Sequence, residues 1–450
     1  MSSVNATLAL ARRALLAQQA AMQVTGDNIA NVNTPGYARK RAELRESLAL
    51  AEQPGLLLGT GVDLDAVRTI RDRFVEQQVQ RSMADAARYE TAGQQLQLLE
   101  ATLGDLGETG LSGVLDSFWN AWLDLARDPA SLAPRTVLRE AGRSISQTFR
   151  TAGQNLAQQA SQLDEQIDYR IKRFNVLIAQ LTQANMNALR SGVRELDDAR
   201  ARLLDELSSL AGVSYRMNET GSVILMLGNV MVVDGASYRE MERTFDGQGA
   251  NVFVIGGNQV VISSGEISGL VSMREDDLAH IRARLDELAI TFVQAVNNIH
   301  QTGYGLDGST GIYFFDPSVT GAFDIALSAD VQRNCRCIAA SLNGDRSDNE
   351  IALSIADLAD APLLDGQRTT IGDSLAALIA GIGARMNDNQ MLAESTKLSL
   401  QQAESWRDSV SGVSIDEEMT NLIRYQNAFN AAAKLVTTVE KMMDVLLTIV

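Results

Sequence analysis

The sequence predicts a mainly α protein with an inserted β domain: terminal helices paired as a coiled-coil-like stalk, a helical-bundle middle, and a small outer β domain. Three observations carry this. Near both ends, apolar residues recur every three and four positions, the signature of a helical seam. Long stretches between them are rich in Gln, Ala, Leu, Arg and Glu and poor in Pro, which suits helices. Residues 212–262 instead carry short β-branched runs separated by Gly, Asn and Asp, which suits strands and tight turns.

The first seam runs through Val4, Leu8, Ala11, Leu15, Met22 and Ile29, with Gln18 and Thr25 on the remaining beats. Pro35 cannot continue a helix and biases Thr34 to an extended conformation, so the helix should stop near Asn33. Pro35-Gly36 then reads as a turn. The matching seam lies at the other end, through Ile415, Met419, Leu422, Phe429, Ala433, Val436, Met443, Leu447 and Val450, with Gln426 and Glu440 as breaks. Each helix has an apolar stripe and almost nothing local to bury it against. The simplest solution pairs the two ends and then pairs them again with neighbouring copies. Neither helix has all its partners within the chain, so both are expected to gain order on assembly. Asn28, Asn31, Asn33, Gln426, Asn427 and Asn430 either fix the register of that packing or are simply exposed.

Between the ends, residues 40–58 read as a connector and 59–64 as a glycine turn into a short strand. A helix is expected over 71–103, broken at 104–110, and a second over 111–127 with Leu115, Phe118, Trp119 and Trp122 on one core-facing side. Residues 135–210 contain no Pro; one helix of that length would exceed about 100 Å, so a break is expected at Ser191-Gly192. Six short strands follow between 213 and 262. A helix then spans 269–300, a strand 323–327, a short helix 351–358 and a long helix 371–407, interrupted at Ser411-Gly412. The expected domains are 1–45 with 411–450 as terminal helices, 46–211 with 330–410 as a helical rod, and 212–329 as an outer β-rich domain containing the 269–300 helix.

The formal net charge of −17 disfavours nucleic acid, which needs a concentrated basic face. Against that background residues 1–45 carry six bases (Arg12, Arg13, Arg39, Lys40, Arg41, Arg45) and two acids. This basic arm either is a solvated surface or meets the acidic Asp416-Glu417-Glu418 run. No cleavable leader and no apolar run of membrane-spanning length is visible, so no membrane insertion is expected. Phosphate-loop, zinc-protease and nucleophile-elbow spacings are missing, so no catalytic, cofactor-binding or metal site is assigned. Cys335 and Cys337 read as free or locally paired thiols. His280 reads as a surface residue and His300 as a charged helix-end residue. Asp307-Gly308-Ser309 and 345–348 read as turns rather than calcium loops.

Residues 1–45 resemble the N-terminus of the bacterial flagellar axial proteins, the family of rod, hook and hook-associated subunits. The Thr34-Pro35-Gly36-Tyr37-x-Arg39 ending is most similar to the hook-associated members. The run from Ser411 to Glu418, then Leu422-Ile423-Arg424-Tyr425-Gln426-Asn427-Ala428-Phe429, resembles their C-terminus. The resemblance implies a structural, non-enzymatic subunit joining the hook to the filament side and lying outside the cell in the flagellum. It implies copies of itself in a ring, hook protein below and hook-associated protein 3 above. It also implies an export chaperone on residues 411–450 and passage through the flagellar type III export apparatus without a cleaved signal peptide. Assembly is then expected to rest on Leu8, Leu15, Met22, Asn28, Ile29, Asn31, Thr34, Pro35, Gly36, Tyr37 and Arg39. Their counterparts are Ile415, Met419, Leu422, Gln426, Phe429, Val436, Met443 and Leu447. A hook or distal-rod subunit is the alternative within the class, and a secreted helical type III effector or translocator the alternative outside it.

Overall fold

The computed structural model describes residues 2–47, 50–53, 56–103, 110–247 and 249–449. Residues 104–109 of the expected helix break at 104–110, and the seam residue Val450, lie outside them.

Helix α1 (Ser2–Ala30) is followed by four strands: β1 (Lys40–Glu46), β2 (Leu50–Gln53), β3 (Leu56–Leu58) and β4 (Val62–Thr69). β1 pairs antiparallel with β4 and β2 with β3, making a long hairpin. β1, β2 and β3 stand in place of the connector expected over 40–58, while β4 is the short strand expected after the glycine turn. Only Ala42 and Leu44 interrupt the charged residues of 40–46, an apolar alternation too short to read as a strand. The hairpin lies along α1, with Arg13 Nη1 donating to Ser47 Oγ at 2.7 Å.

The helical body comprises α2 (Arg73–Leu103), α3 (Leu111–Arg127), α4 (Leu132–Ser191) and α5 (Asp198–Ala211). After the β insert come α6 (Gly265–Ser272), α7 (Ala279–His300), the short α8 (Ala329–Arg333) and α9 (Glu350–Ala356), then α10 (Ile371–Ser411). A π-helical stretch, Met273–Leu278, joins α6 to α7. α4 is 60 residues long, about 90 Å, and stops where expected, at Gly192 with φ of 70°. α2 and α10 run antiparallel. The Phe74 and Trp406 rings meet edge-on at 6.1 Å, and Asn389 Nδ2 donates to Tyr89 O at 2.9 Å.

Leu115, Phe118, Trp119 and Trp122 of α3 all point inward, as the core reading of that helix expects. The Phe118 ring lies 5.3 Å from Phe292, 5.7 Å from Phe314 and 5.8 Å from Phe315. Few aromatics serve the whole chain, and this cluster gathers them where α3, α7 and the 312–315 segment meet.

The β insert has a four-stranded sheet of β5 (Ser214–Met217), β6 (Val223–Leu227), β7 (Val230–Asp234) and β8 (Ser237–Tyr238). A three-stranded sheet follows, of β9 (Met241–Phe245), β10 (Asn251–Ile255) and β11 (Asn258–Val260). Two amides of α4 act as surrogate strands. Asn185 exchanges hydrogen bonds with the backbone of Val223 (2.9 and 3.0 Å), and Asn175 does the same with Met241 (3.0 and 2.9 Å). Peptide groups that a sheet end would leave open are thereby satisfied.

Three expectations for this region differ from the structure. The 269–300 helix belongs to the helical body, because α7 packs its apolar face on α10, α9 and α4. The proposed 329/330 boundary is crossed by β12 (Tyr304–Gly305) pairing with β13 (Ala339–Ser341). One continuous core runs from Leu96 to Ile382 through both sheets, so 212–329 is not a unit with a core of its own. The expected strand at 323–327 is a 3-10 turn at Ala322–Asp324, with a single bridge from Leu327 to Phe315.

α11 (Ile415–Ile449) returns antiparallel to α1, with Asn28 beside Glu418 and Val4 beside Met442. The two helices and the hairpin make the stalk. The residues it buries are mostly small, Ala11, Ala17, Ala21 and Thr25 on α1 and Ala432 and Val439 on α11.

Candidate assembly site

The site is built where α1 ends. Thr34 O accepts from Tyr37 N at 3.1 Å across Pro35 and Gly36, and Gly36 has φ of 74°. This is a type II turn, which needs Pro-compatible φ at its second residue and positive φ at its third. The turn reverses the chain so that Tyr37 and Arg39 return alongside the last turn of α1. There Asn28, fully buried, uses all its hydrogen-bonding capacity. Its Nδ2 donates to Lys40 O (2.8 Å) and to Glu418 Oε2 (3.0 Å). Its Oδ1 accepts from Tyr37 OH and Lys40 N, each at 2.9 Å.

Glu418, 2% exposed, is held on its other side by Arg39, whose Nε and Nη2 both reach Oε1 at 2.7 Å. Arg39 Nη1 donates to Glu417 Oε2 at 2.6 Å. Burial works against the Arg39 charge, but the hydrogen bonds to Glu417 and Glu418 hold the guanidinium above its ordinary value. The Tyr37 hydroxyl is driven well above its usual range by burial and by Asp27, to which it donates at 3.2 Å. Asn28, Tyr37, Arg39 and Glu418 thus form a clasp joining two segments 390 residues apart. The basic arm does meet the acidic run.

The remaining expected residues sit around the clasp. Asn31 donates to the carbonyl and carboxylate of Asp27, and its own oxygen accepts from Thr34 Oγ1 at 3.2 Å. Thr34 and Pro35 are exposed. Leu8, Leu15, Met22 and Ile29 are half-buried on the flank of the seam, whose centre runs through Ala11, Thr25 and Asn28. On α11 the seam is turned by one residue from the expected line. Glu418, Ala432 and Val439 are buried, while Leu422, Phe429 and Val436 are half-buried and Gln426 and Met443 are exposed. One residue is about 100° around a helix, so Ile415 (50% exposed) and Met419 (45%) face outward, with Ile423 (53%) beside them. Leu447 lies in α11, and its side chain is outside the described residues.

Sequence reasoning missed Asp198 and Arg71, which hold the turn from the body side. The one available signal for Glu418 was its position in an acidic run opposite a basic arm.

Elsewhere the chemistry is quiet. His300 is wholly buried, donating from Nδ1 to Ile312 O (2.7 Å) and accepting at Nε2 from Ala339 N (2.9 Å). Burial lowers it to about 4, so it is neutral, not the charged helix-end group expected. Cys335 and Cys337 are free thiols, and burial pushes Cys337 up to about 11. Asp307 and Asp345 each accept from the serine two residues on, as turn residues do. Among the described residues no group of three or more His, Cys, Asp or Glu could hold a metal ion, and no helix is long and apolar enough to cross a membrane.

Three family models match. The flagellar hook-associated protein FlgK helical domain matches residues 96–315, the flagella basal body rod protein 8–37, and the flagellar basal body rod FlgEFG protein C-terminal segment 408–449. The last two are the helices joined by the clasp. The chain is 29% identical to flagellar hook-associated protein 1 of Bacillus subtilis (strain 168), covering 99% of this chain and 98% of the relative. It is 23% identical to that of Salmonella typhimurium, covering 97% and 98%. The solved flagellar hook junction protein FlgK from Burkholderia pseudomallei shares the fold, with a TM-score of 0.67 at 13% identity over 74% of this chain and all of that one.

A stalk closed from both ends of one chain, carrying a helical body between them, defines the class: a structural subunit of the bacterial flagellum. Within that class, this chain is similar along nearly its whole length to flagellar hook-associated protein 1, and its middle to the FlgK helical domain.

Proposed function

We propose that this chain is a junction subunit linking the hook to the filament side, and that it does so without catalysis, by packing its stalk against neighbouring stalks. The observation that carries this is the outward apolar row Ile415, Met419 and Ile423 on a helix whose inner face is already closed by the clasp. A row of that kind on an otherwise finished stalk calls for a further helix to cover it. Copies of the same chain in a ring supply it at the same level; hook protein lies on one side and hook-associated protein 3 on the other. Before assembly an export chaperone covers the 411–450 region, which keeps the row from associating inside the cell. The chain passes through the type III export apparatus and takes its place outside the cell at the hook–filament junction.

The test is a strain lacking this gene, studied by electron microscopy with an immunoblot of the medium for filament subunit. Hooks without filaments, with filament subunit shed to the medium and both restored by the gene, are the expected result. Normal filaments on motile cells would overturn the reading.

A further inference from the structure

The Thr34–Tyr37 turn is tied to the helical body as well as to α11, and the principal tie is one side chain, Arg71. Its Nη2 donates to Gly36 O and to Asp198 Oδ1, each at 2.8 Å, and its Nη1 to Glu76 Oε1 at 2.7 Å. These acceptors lie on three separate segments: the turn, the first residue of α5 and the first turn of α2. Asp198 also accepts from Ala38 N at 3.3 Å. Glu76 lies 4.0 Å from Arg407 near the end of α10, and Arg407 reaches Asp205 of α5 at 3.2 Å. Arg39 N donates to Ser411 O at 2.8 Å. Both routes by which the chain leaves the stalk for the body therefore end on the same set of charges.

The Arg71 and Glu76 side chains are only 7% and 1% exposed. Charges this dry are a weak means of stabilising a fold, because desolvation cancels most of the attraction. They are a strong means of specifying one arrangement, because a displaced guanidinium leaves buried carboxylates unpaired. A positive-φ turn has no rigidity of its own at Gly36, so the orientation of the stalk must be set from outside the turn.

We propose that Arg71 is a positioning residue that locks the stalk to the helical body, so that closing the Asn28–Glu418 clasp and seating α5 against α2 are coupled. The coupling is independent of the flagellar reading and is measured on the purified full-length chain by amide hydrogen exchange. Arg71→Met is expected to speed exchange at least about tenfold across 36–41 and 411–418, leaving 163–181 of α4 unchanged. Glu76→Gln keeps the Arg71 bonds to Gly36 and Asp198, so 36–41 should stay within about twofold of the parent. Arg71→Met and Asn28→Ala together should fall short of additivity, since either one already frees the shared segment.

Unchanged exchange at 36–41 in Arg71→Met, the same loosening in Glu76→Gln, or full additivity of the pair would each overturn the lock. If Arg71→Met does not fold, Arg71→Lys keeps the charge but cannot span three acceptors. Exchange at 36–41 should then rise at least about threefold with 163–181 unchanged, and no rise overturns the proposal.

Discussion

Asn28 is the residue on which the stalk's end depends, because four hydrogen bonds converge on one buried amide. Asn28→Ala removes them all and leaves Glu418 and Lys40 N short of partners, so a loss of about 2–4 kcal/mol is expected in urea unfolding. Tyr37→Phe deletes one donor and should cost about 1 kcal/mol. His300 gives a pH signature. Its folded value lies below its ordinary 6.5, at about 4, so the neutral ring is what the fold requires. That contribution is complete above pH 6.5 and is lost as pH falls toward 4, a range worth about 3 kcal/mol. Burial raises Glu76 and Asp205, which gain stability as pH falls over an overlapping range. The difference between wild type and His300→Gln, followed from pH 7 to pH 4, isolates the histidine: the variant should lack this fall.

At the scale of elements, Gly142 shows how context reverses a propensity. Gly→Ala within a helix normally stabilises by about 1 kcal/mol. Here a Cβ would sit 2.8 Å from Phe314 Cε1 and 2.9 Å from Leu327 Cδ2, so Gly142→Ala should cost about 1–3 kcal/mol by thermal melting. The same segment shows where the sequence was legible. Long helices announced themselves through periodicity and composition, and the end of α4 through Gly192. Phe314 and Phe315 sit in a glycine-rich stretch with no period, so nothing local marks them as core. β1 was hidden because only Ala42 and Leu44 interrupt its charged residues. The α11 seam was read one residue off because its centre is Glu418, Ala432 and Val439: a carboxylate and a methyl stand where an apolar pattern expects bulk.

For the whole molecule, the rotated seam separates the face that closes the stalk from the outward row on which the proposed assembly rests. Met419→Glu with Ile423→Glu should leave the monomer's stability within about 0.5 kcal/mol, since both side chains face outward. In cells the same pair should abolish incorporation into flagella, read by blotting purified hook–basal bodies. Both terminal motifs and the helix–sheet–helix order were readable from the residues. The fusion of the β insert with the helical core was not, because Asn175 and Asn185 look like ordinary polar helix positions until the strands they complete are in place. The antiparallel stalk also has a consequence in time. Residues 28 and 418 cannot meet until everything between them has been delivered, and the ordered body must bring them together across a separation that loop closure alone disfavours. The clasp therefore acts as a check on length: a chain halted before residue 418 could fold its core yet would present α1 without its partner. Only a chain delivered that far can close its own end.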